Sequence, residues 1–123
     1  MDHQMAALIV ARPGRLRDGW RALLLATGQV EAVSLAAGGS TASDMARAFV
    51  PDLVLLDVDA LDQEAWTLLA QIKVEQPRCR SIALVRDARQ LEEPSSAGAD
   101  AALVKGFPAA TFFETVRRLL PHT

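Results

Sequence analysis

Pro51-Asp52-Leu53-Val54-Leu55-Leu56-Asp57 is the stretch on which the fold turns. Leu53 to Leu56 are apolar without interruption, so both faces of the pleat want to be covered. A strand with one wet face would alternate instead. An unbroken run of this length therefore marks a central strand of a parallel sheet with helices on both sides. The run ends at Asp57, a carboxylate at the carboxyl end of that strand.

Working outward, short apolar runs alternate with amphipathic segments. Leu8-Ile9-Val10 is a first strand, stopped by Arg12-Pro13-Gly14. Leu16, Trp20, Leu23, Leu24 and Ala26 follow a helical period, and Gly28 suits the position just past a helix end. Val30 to Leu35 is a second strand. After Gly38-Gly39, Ser40, Thr41 or Ser43 is placed to cap a helix with Met45, Ala46 and Phe49 on one face. Downstream of Asp57, a helix from about Gln63 to Glu75 buries Trp66, Leu69 and Ile72, and Pro77 closes the connection that follows. Ser81 to Val85 and Ala101 to Val104 complete five strands. The polar stretch from Asp87 to Ser96, interrupted by Pro94, is the least marked helical segment. Pro108 opens a last helix that turns Phe112, Val116, Leu119 and Leu120 inward.

Five β-α repeats imply a doubly wound parallel sheet, since parallel strands require right-handed crossovers. The 123 residues make one domain, ordered over about 6–120. In such sheets the working site lies at the carboxyl ends of the strands. That singles out Ala11-Arg12, Asp57, Val85-Arg86 and Lys105-Gly106.

Composition narrows the function classes. A net charge of −2 gives no field to draw nucleic acid or an anionic membrane. No apolar stretch approaches the roughly 20 residues that span a bilayer, and Met1 to Met5 lack the pattern of a secretory leader. A cytoplasmic protein is expected. Cys79, the single cysteine, reads as a small filler near a strand start. His3 and His122 sit near the termini without metal or triad partners, and no paired catalytic carboxylates stand out. Trp20 and Trp66 read as core or half-buried residues, and Glu92-Glu93 as a solvated face.

Taken together, these pieces resemble the receiver domain of bacterial response regulators over nearly the whole chain. Ala7 to Val10 is similar to the first strand of that family. Arg17-Asp18-Gly19-Trp20-Arg21-Ala22-Leu23-Leu24 is similar to the first helix of receivers carrying a helix-turn-helix output domain. Pro51 to Asp59 resembles the phosphoacceptor strand, and Ala97-Gly98-Ala99-Asp100 with Leu103-Val104-Lys105 and Phe107 the fifth-strand region. The resemblance implies a flavodoxin-like sheet of order 2-1-3-4-5. It also implies phosphate acceptance at Asp57 from a histidine kinase, with Lys105 pairing the carboxylate or its phosphate.

The other parts that the family chemistry implies are altered. The two acids that hold Mg²⁺ fall at Ala11 and Arg12, and the remaining oxygens, from Asp57 and the Asp59 carbonyl, are too few for a near-octahedral ion. No Mg²⁺ and no other cofactor is expected. Arg12 is instead expected to donate to Asp57, with Arg12 in solvent and Lys105 alone on Asp57 as the other arrangement. The switch hydroxyl falls at Val85, the switch aromatic at Ala102, and the proline after the lysine at Gly106. Asp59 and Asp62 read as acids near a helix start.

The expectation is a non-enzymatic, phosphorylation-independent receiver-like module. It would bind a protein partner or a second copy through the last strand and helix, with Arg117 and Arg118 on the solvent side and Arg89 expected nearby. One alternative keeps Asp57 as a working phosphoacceptor. Another binds an anion or nucleotide at Arg12, Arg15 and Arg17, where a helix N-terminus favours negative charge. Any DNA contact would belong to an output domain beyond Pro121.

Overall fold

The computed structural model describes residues 5–61, 63–93 and 98–121. His3, Asp62, Pro94, Ala97 and His122 lie outside them. The elements run β1 (Met5–Val10), α1 (Arg15–Ala26), β2 (Val30–Ala36), α2 (Gly39–Phe49), β3 (Leu53–Asp57), α3 (Val58–Leu61), α4 (Glu64–Glu75), β4 (Arg80–Val85), a 3-10 turn (Ala88–Gln90), β5 (Ala101–Val104) and α5 (Ala109–Leu119). All strand pairs are parallel, in the order β2-β1-β3-β4-β5. The doubly wound sheet expected from the sequence is the one observed.

The period of two along the central strand divides the core. Every residue of β3 is buried. Val54 and Leu56 join Leu8, Val10, Ala83 and Val85 under α2 and α4, where Ala46, Leu69 and Ile72 meet them. Leu53 and Leu55 join Ile9, Ile82 and Leu84 on the opposite face, against Trp20, Leu24, Phe112 and Val116. A one-residue slip of β3 would exchange these two sets, so the register is held by packing on both sides.

Polar groups close the edges of this arrangement. The Asp52 carboxylate accepts from the Ala6 N–H at 2.9 Å, and its own carbonyl accepts from Arg80 N–H. Asp100 does the same for the outer strands. Its carboxylate accepts from Ser81 N–H at 2.9 Å and meets Arg80 and Lys73 at 3.5 and 3.6 Å. Asp100, part of the sequence resemblance, thus fixes the start of β4 beside β5.

Several expected positions shift. Leu16 is 61% exposed and Phe49 is 59% exposed, so neither joins the face it was assigned to. Each lies in an end turn of its helix, beyond the reach of the sheet. Ser40, Thr41 and Ser43 do not cap α2, whose cap is Gly38 with no side-chain bond. Trp66 is half-buried against the core, whereas Trp20 is buried. Gly28 does follow the end of α1, at φ 76°.

Val50 ends α2 in the left-handed region, at φ 45° and ψ 66°. That conformation crowds a β-branched side chain against its own carbonyl and usually falls to glycine. Val50→Gly is expected to raise stability by about 0.5–1 kcal/mol, the relief less the added chain entropy. Urea denaturation checks it: a raised midpoint is expected, and Val50→Ala should not reproduce it.

Cys79 is buried among the residues under α4. Burial pushes its thiol up to about 12, the charges of Asp52 and Asp100 add to the shift, and Lys73 opposes it. The nucleophile is the thiolate, so the folded protein should leave Cys79 unreactive. Ellman's reagent at pH 8 should label it only after denaturant is added.

Candidate functional site

Three strands deliver the site to one corner of the sheet. The carboxyl end of β3 carries Asp57, the turn after β4 carries Arg86, and the end of β5 leads into Lys105. Immediately beyond Asp57 the chain winds into α3, which holds Asp59 over the same corner. The Asp59 N–H donates to Asp57 Oδ1 at 3.2 Å, so the acid at the strand end also starts the helical turn.

Lys105 is the centre of this arrangement. Its Nζ lies 2.6 Å from Asp57 Oδ1 and 3.1 Å from Asp59 Oδ2. One ammonium therefore bridges both carboxylates. Burial of the ammonium is the largest single influence and pulls its pKa down. The hydrogen bonds and charges of Asp57 and Asp59 together outweigh it and hold Lys105 above the ordinary lysine value.

The chain around Lys105 is built to hold it. Its backbone N–H donates to Val85 O at 2.9 Å, which extends the β4–β5 ladder to the site. Gly106 then turns the backbone at φ 93°, a conformation closed to the proline ring, whose φ is fixed near −65°. Phe107 follows and stacks on the buried ring of Phe112 with centroids 5.5 Å apart. Lys105 is thus pinned between a strand end and an aromatic anchor.

Arg12 does not donate to Asp57. It is exposed, and among the described residues no hydrogen bond or ion pair joins it to the carboxylate. Pro13 and Gly14 carry the chain outward from the end of β1, and Lys105 already occupies the carboxylate's inner side. Ala11, its neighbour, is buried and packs with Trp20 and Leu24 on the α1 face. Arg15 is exposed and Arg17 is half-buried along the start of α1.

Val85 is fully buried under α2 and α4 and pairs with Val104. The next residue reaches the corner instead: Arg86 Nη1 stands 3.8 Å from Asp59 Oδ1. The Arg86 N–H donates to Gln90 Oε1 at 2.8 Å, which ties the 3-10 turn back to the strand end. Arg86 was visible in the sequence as the first residue past an apolar strand. Ala102 is half-buried opposite Ala83, with only a methyl to offer. Arg89 does not lie beside Arg117 and Arg118. It follows the carboxyl end of β4 and meets Asp87 at 3.6 Å, whereas those two arginines lie at the other end of the sheet with the start of β4.

The donor set does not suit the Mg²⁺ that the resemblance implies. Mg²⁺ requires hard oxygen ligands in near-octahedral order and dehydrates reluctantly. Here position 11 supplies a methyl, position 12 an exposed guanidinium, and both remaining carboxylates already hold an ammonium. Among the described residues no group of three or more His, Cys, Asp or Glu side chains is placed to hold a metal.

No protein-family model and no curated protein matches the chain. Solved structures do. The receiver domain of a DNA-binding response regulator from Colwellia psychrerythraea superposes with a TM-score of 0.82 at 18% identity, covering 94% of this chain and 98% of that one. This chain has the fold of response regulator receiver domains. The chemotaxis response regulator CheY4 of Vibrio cholerae agrees, with a TM-score of 0.81 at 22% identity over 96% of this chain and all of that one (100%). NtrX from Brucella abortus matches over 96% of this chain but 26% of its own, with a TM-score of 0.82 and 21% identity. There the receiver fold is one part of a longer protein.

Replacing Lys105 leaves two carboxylates facing each other in a partly buried corner. Lys105→Met is expected to cost about 1–3 kcal/mol at pH 7, and clearly less in an Asp57→Asn background. The folded pKa of Lys105 lies above its unfolded value. Its contribution is therefore full below the ordinary lysine value of about 10.4 and is lost as pH rises through the raised value. Urea titrations should show a constant gap between Lys105→Met and the parent from pH 7 to about 9.5, closing at more alkaline pH.

Proposed function

We propose that the chain is a receiver-like interaction module that signals through a fixed conformation rather than through phosphorylation. The observation that carries this reading is the bridging of Asp57 and Asp59 by the Lys105 ammonium, in a corner where position 11 is a methyl. Phosphoryl transfer to a carboxylate depends on positioning and on neutralising charge over the transferred group. A metal does both, because it coordinates the attacking and transferred oxygens together. An ammonium already engaged by two carboxylates neutralises the resting acid but offers no second coordination position.

The same reading accounts for the surroundings. The resemblance assigns the conformational response to a hydroxyl at the end of β4 and an aromatic in β5. The side chain that reaches the corner from the end of β4 is Arg86, a cation rather than a hydroxyl. Val85 is packed in the core and Ala102 is a methyl, so neither the hydroxyl nor the aromatic ring is present. The module catalyses no reaction of its own and binds neither metal nor cofactor. It works in the cytoplasm, meeting a protein partner or a second copy through β5 and α5, and contacts neither nucleic acid nor membrane. Incubation with acetyl phosphate and Mg²⁺ should leave the intact mass unchanged. A stable gain of one phosphate, absent in Asp57→Ala, would end the proposal.

A second reading retains Asp57 as a phosphoacceptor served by a histidine kinase. The 2.6 Å contact between Lys105 and Asp57 favours it, since the same ammonium could pair a phosphate formed there. Radiolabel transfer from a phosphorylated kinase to the parent chain, and not to Asp57→Ala, would select this reading over the first.

A further inference from the structure

The end of the domain opposite the Asp57 corner carries a groove that gives the partner surface of α5 a chemistry, and its use as a docking site rests on that reading of the last helix. The starts of β1 and β4 and the end of α5 surround an open groove of about 660 Å³. Its basic residues are Arg78, Arg80, Arg117 and Arg118, and its apolar floor includes Met5 and Leu120. In a chain of net charge −2, this gathers four guanidinium groups around one concavity. Arg80 shares Asp100 with Lys73. Arg78, Arg117 and Arg118 are exposed and form no ion pair among the described residues. The acid in the lining, Asp52, turns its carboxylate to the Ala6 N–H.

Like charges gathered round a groove repel one another until an anion enters, and a guanidinium prefers the planar fork of a carboxylate or phosphate. The floor decides between anions. Met5 and Leu120 are buried, and the apolar surface left for a ligand comes from Pro77, Leu119 and Pro121, which reward contact with CH groups and offer nothing to a sugar-phosphate backbone. The apolar character also continues past the groove. A second concavity, lined by Val50, Glu75 and Gln76, shares Asp52, Pro77 and Arg78 with the first. Val50, in the lining of that second concavity, is 63% exposed. A track thus runs from an arginine rim across Pro77 to the exposed Val50 side chain.

We infer that this end of the domain docks an extended acidic peptide segment of a protein partner, in which carboxylates alternate with apolar side chains. The carboxylates pair with Arg78, Arg117 and Arg118, and the apolar side chains cover the floor and the Pro77–Val50 track. The site is separate from the Asp57 corner and does not depend on the state of Asp57.

Fluorescence anisotropy with a fluorescein-labelled decapeptide of alternating glutamate and leucine tests this on the full 123-residue chain. Saturable binding is expected, weakening as salt rises. Arg117→Glu/Arg118→Glu should weaken it at least about tenfold, and Arg78→Glu by itself about threefold. Arg21→Glu/Arg89→Glu, with the same change of charge away from the groove, should leave it unaltered. Circular dichroism confirms that each variant is folded. The inference fails if no saturable binding appears, or if both double variants lose binding equally. It fails equally if a glutamate-glycine decapeptide binds as well, or if a ten-nucleotide single strand competes better than the peptide.

Discussion

A single ammonium held between two carboxylates organises the working corner of this domain. Asp57 reaches it from β3, Asp59 from the helical turn that Asp57 itself starts, and Lys105 from the end of β5. Lys105 lies 46 residues from Asp59 in sequence and meets the two acids only because β3, β4 and β5 are adjacent and parallel. Positive charge at this corner is thus built into the chain as a side chain. The same sheet fixes where that side chain goes, through the Lys105–Val85 backbone bond and the Phe107–Phe112 stack.

The opposite end of the sheet is organised differently. Asp52 and Asp100 accept from backbone N–H groups at strand starts, which aligns the strands, and Asp100 also pairs with Arg80 and Lys73. Among the described residues Arg78, Arg117 and Arg118 form no ion pair, so one end of the domain pairs its charges at Lys105 while the other gathers arginines round a groove. Such a division suits a domain whose traffic is with partners rather than with a small substrate.

Much of this was written in the sequence. Leu53 to Leu56 announced a strand covered on both faces because an unbroken apolar run has no wet side. Asp57 and Lys105 stood out as charges placed just where apolar strands stop. Other parts were not legible. Val58–Leu61 is one helical turn, too short to show a period, so Asp59 read as an acid near a helix start rather than a partner of Lys105. The direction of Arg12 depends on the path of Pro13-Gly14, and a flexible cation beside an acid in sequence need not meet it in space. Leu16 and Phe49 follow a helical period, but period gives a face and not the extent of the surface opposite. Arg86 lay at a strand end already in view, while the family pattern drew attention to Val85, which the pleat turns into the core.

The most direct measurement is a titration with Mn²⁺, a paramagnetic stand-in for Mg²⁺, followed in the amide spectrum of the ¹⁵N-labelled protein. With Lys105 bridging Asp57 and Asp59, the Val58, Asp59 and Gly106 amides should broaden no more than those of surface residues elsewhere. Lys105→Met, with both carboxylates released, should broaden them more readily. Selective loss of these signals in the parent protein at stoichiometric Mn²⁺ would contradict the account, because a metal would then hold the corner that the ammonium is said to fill.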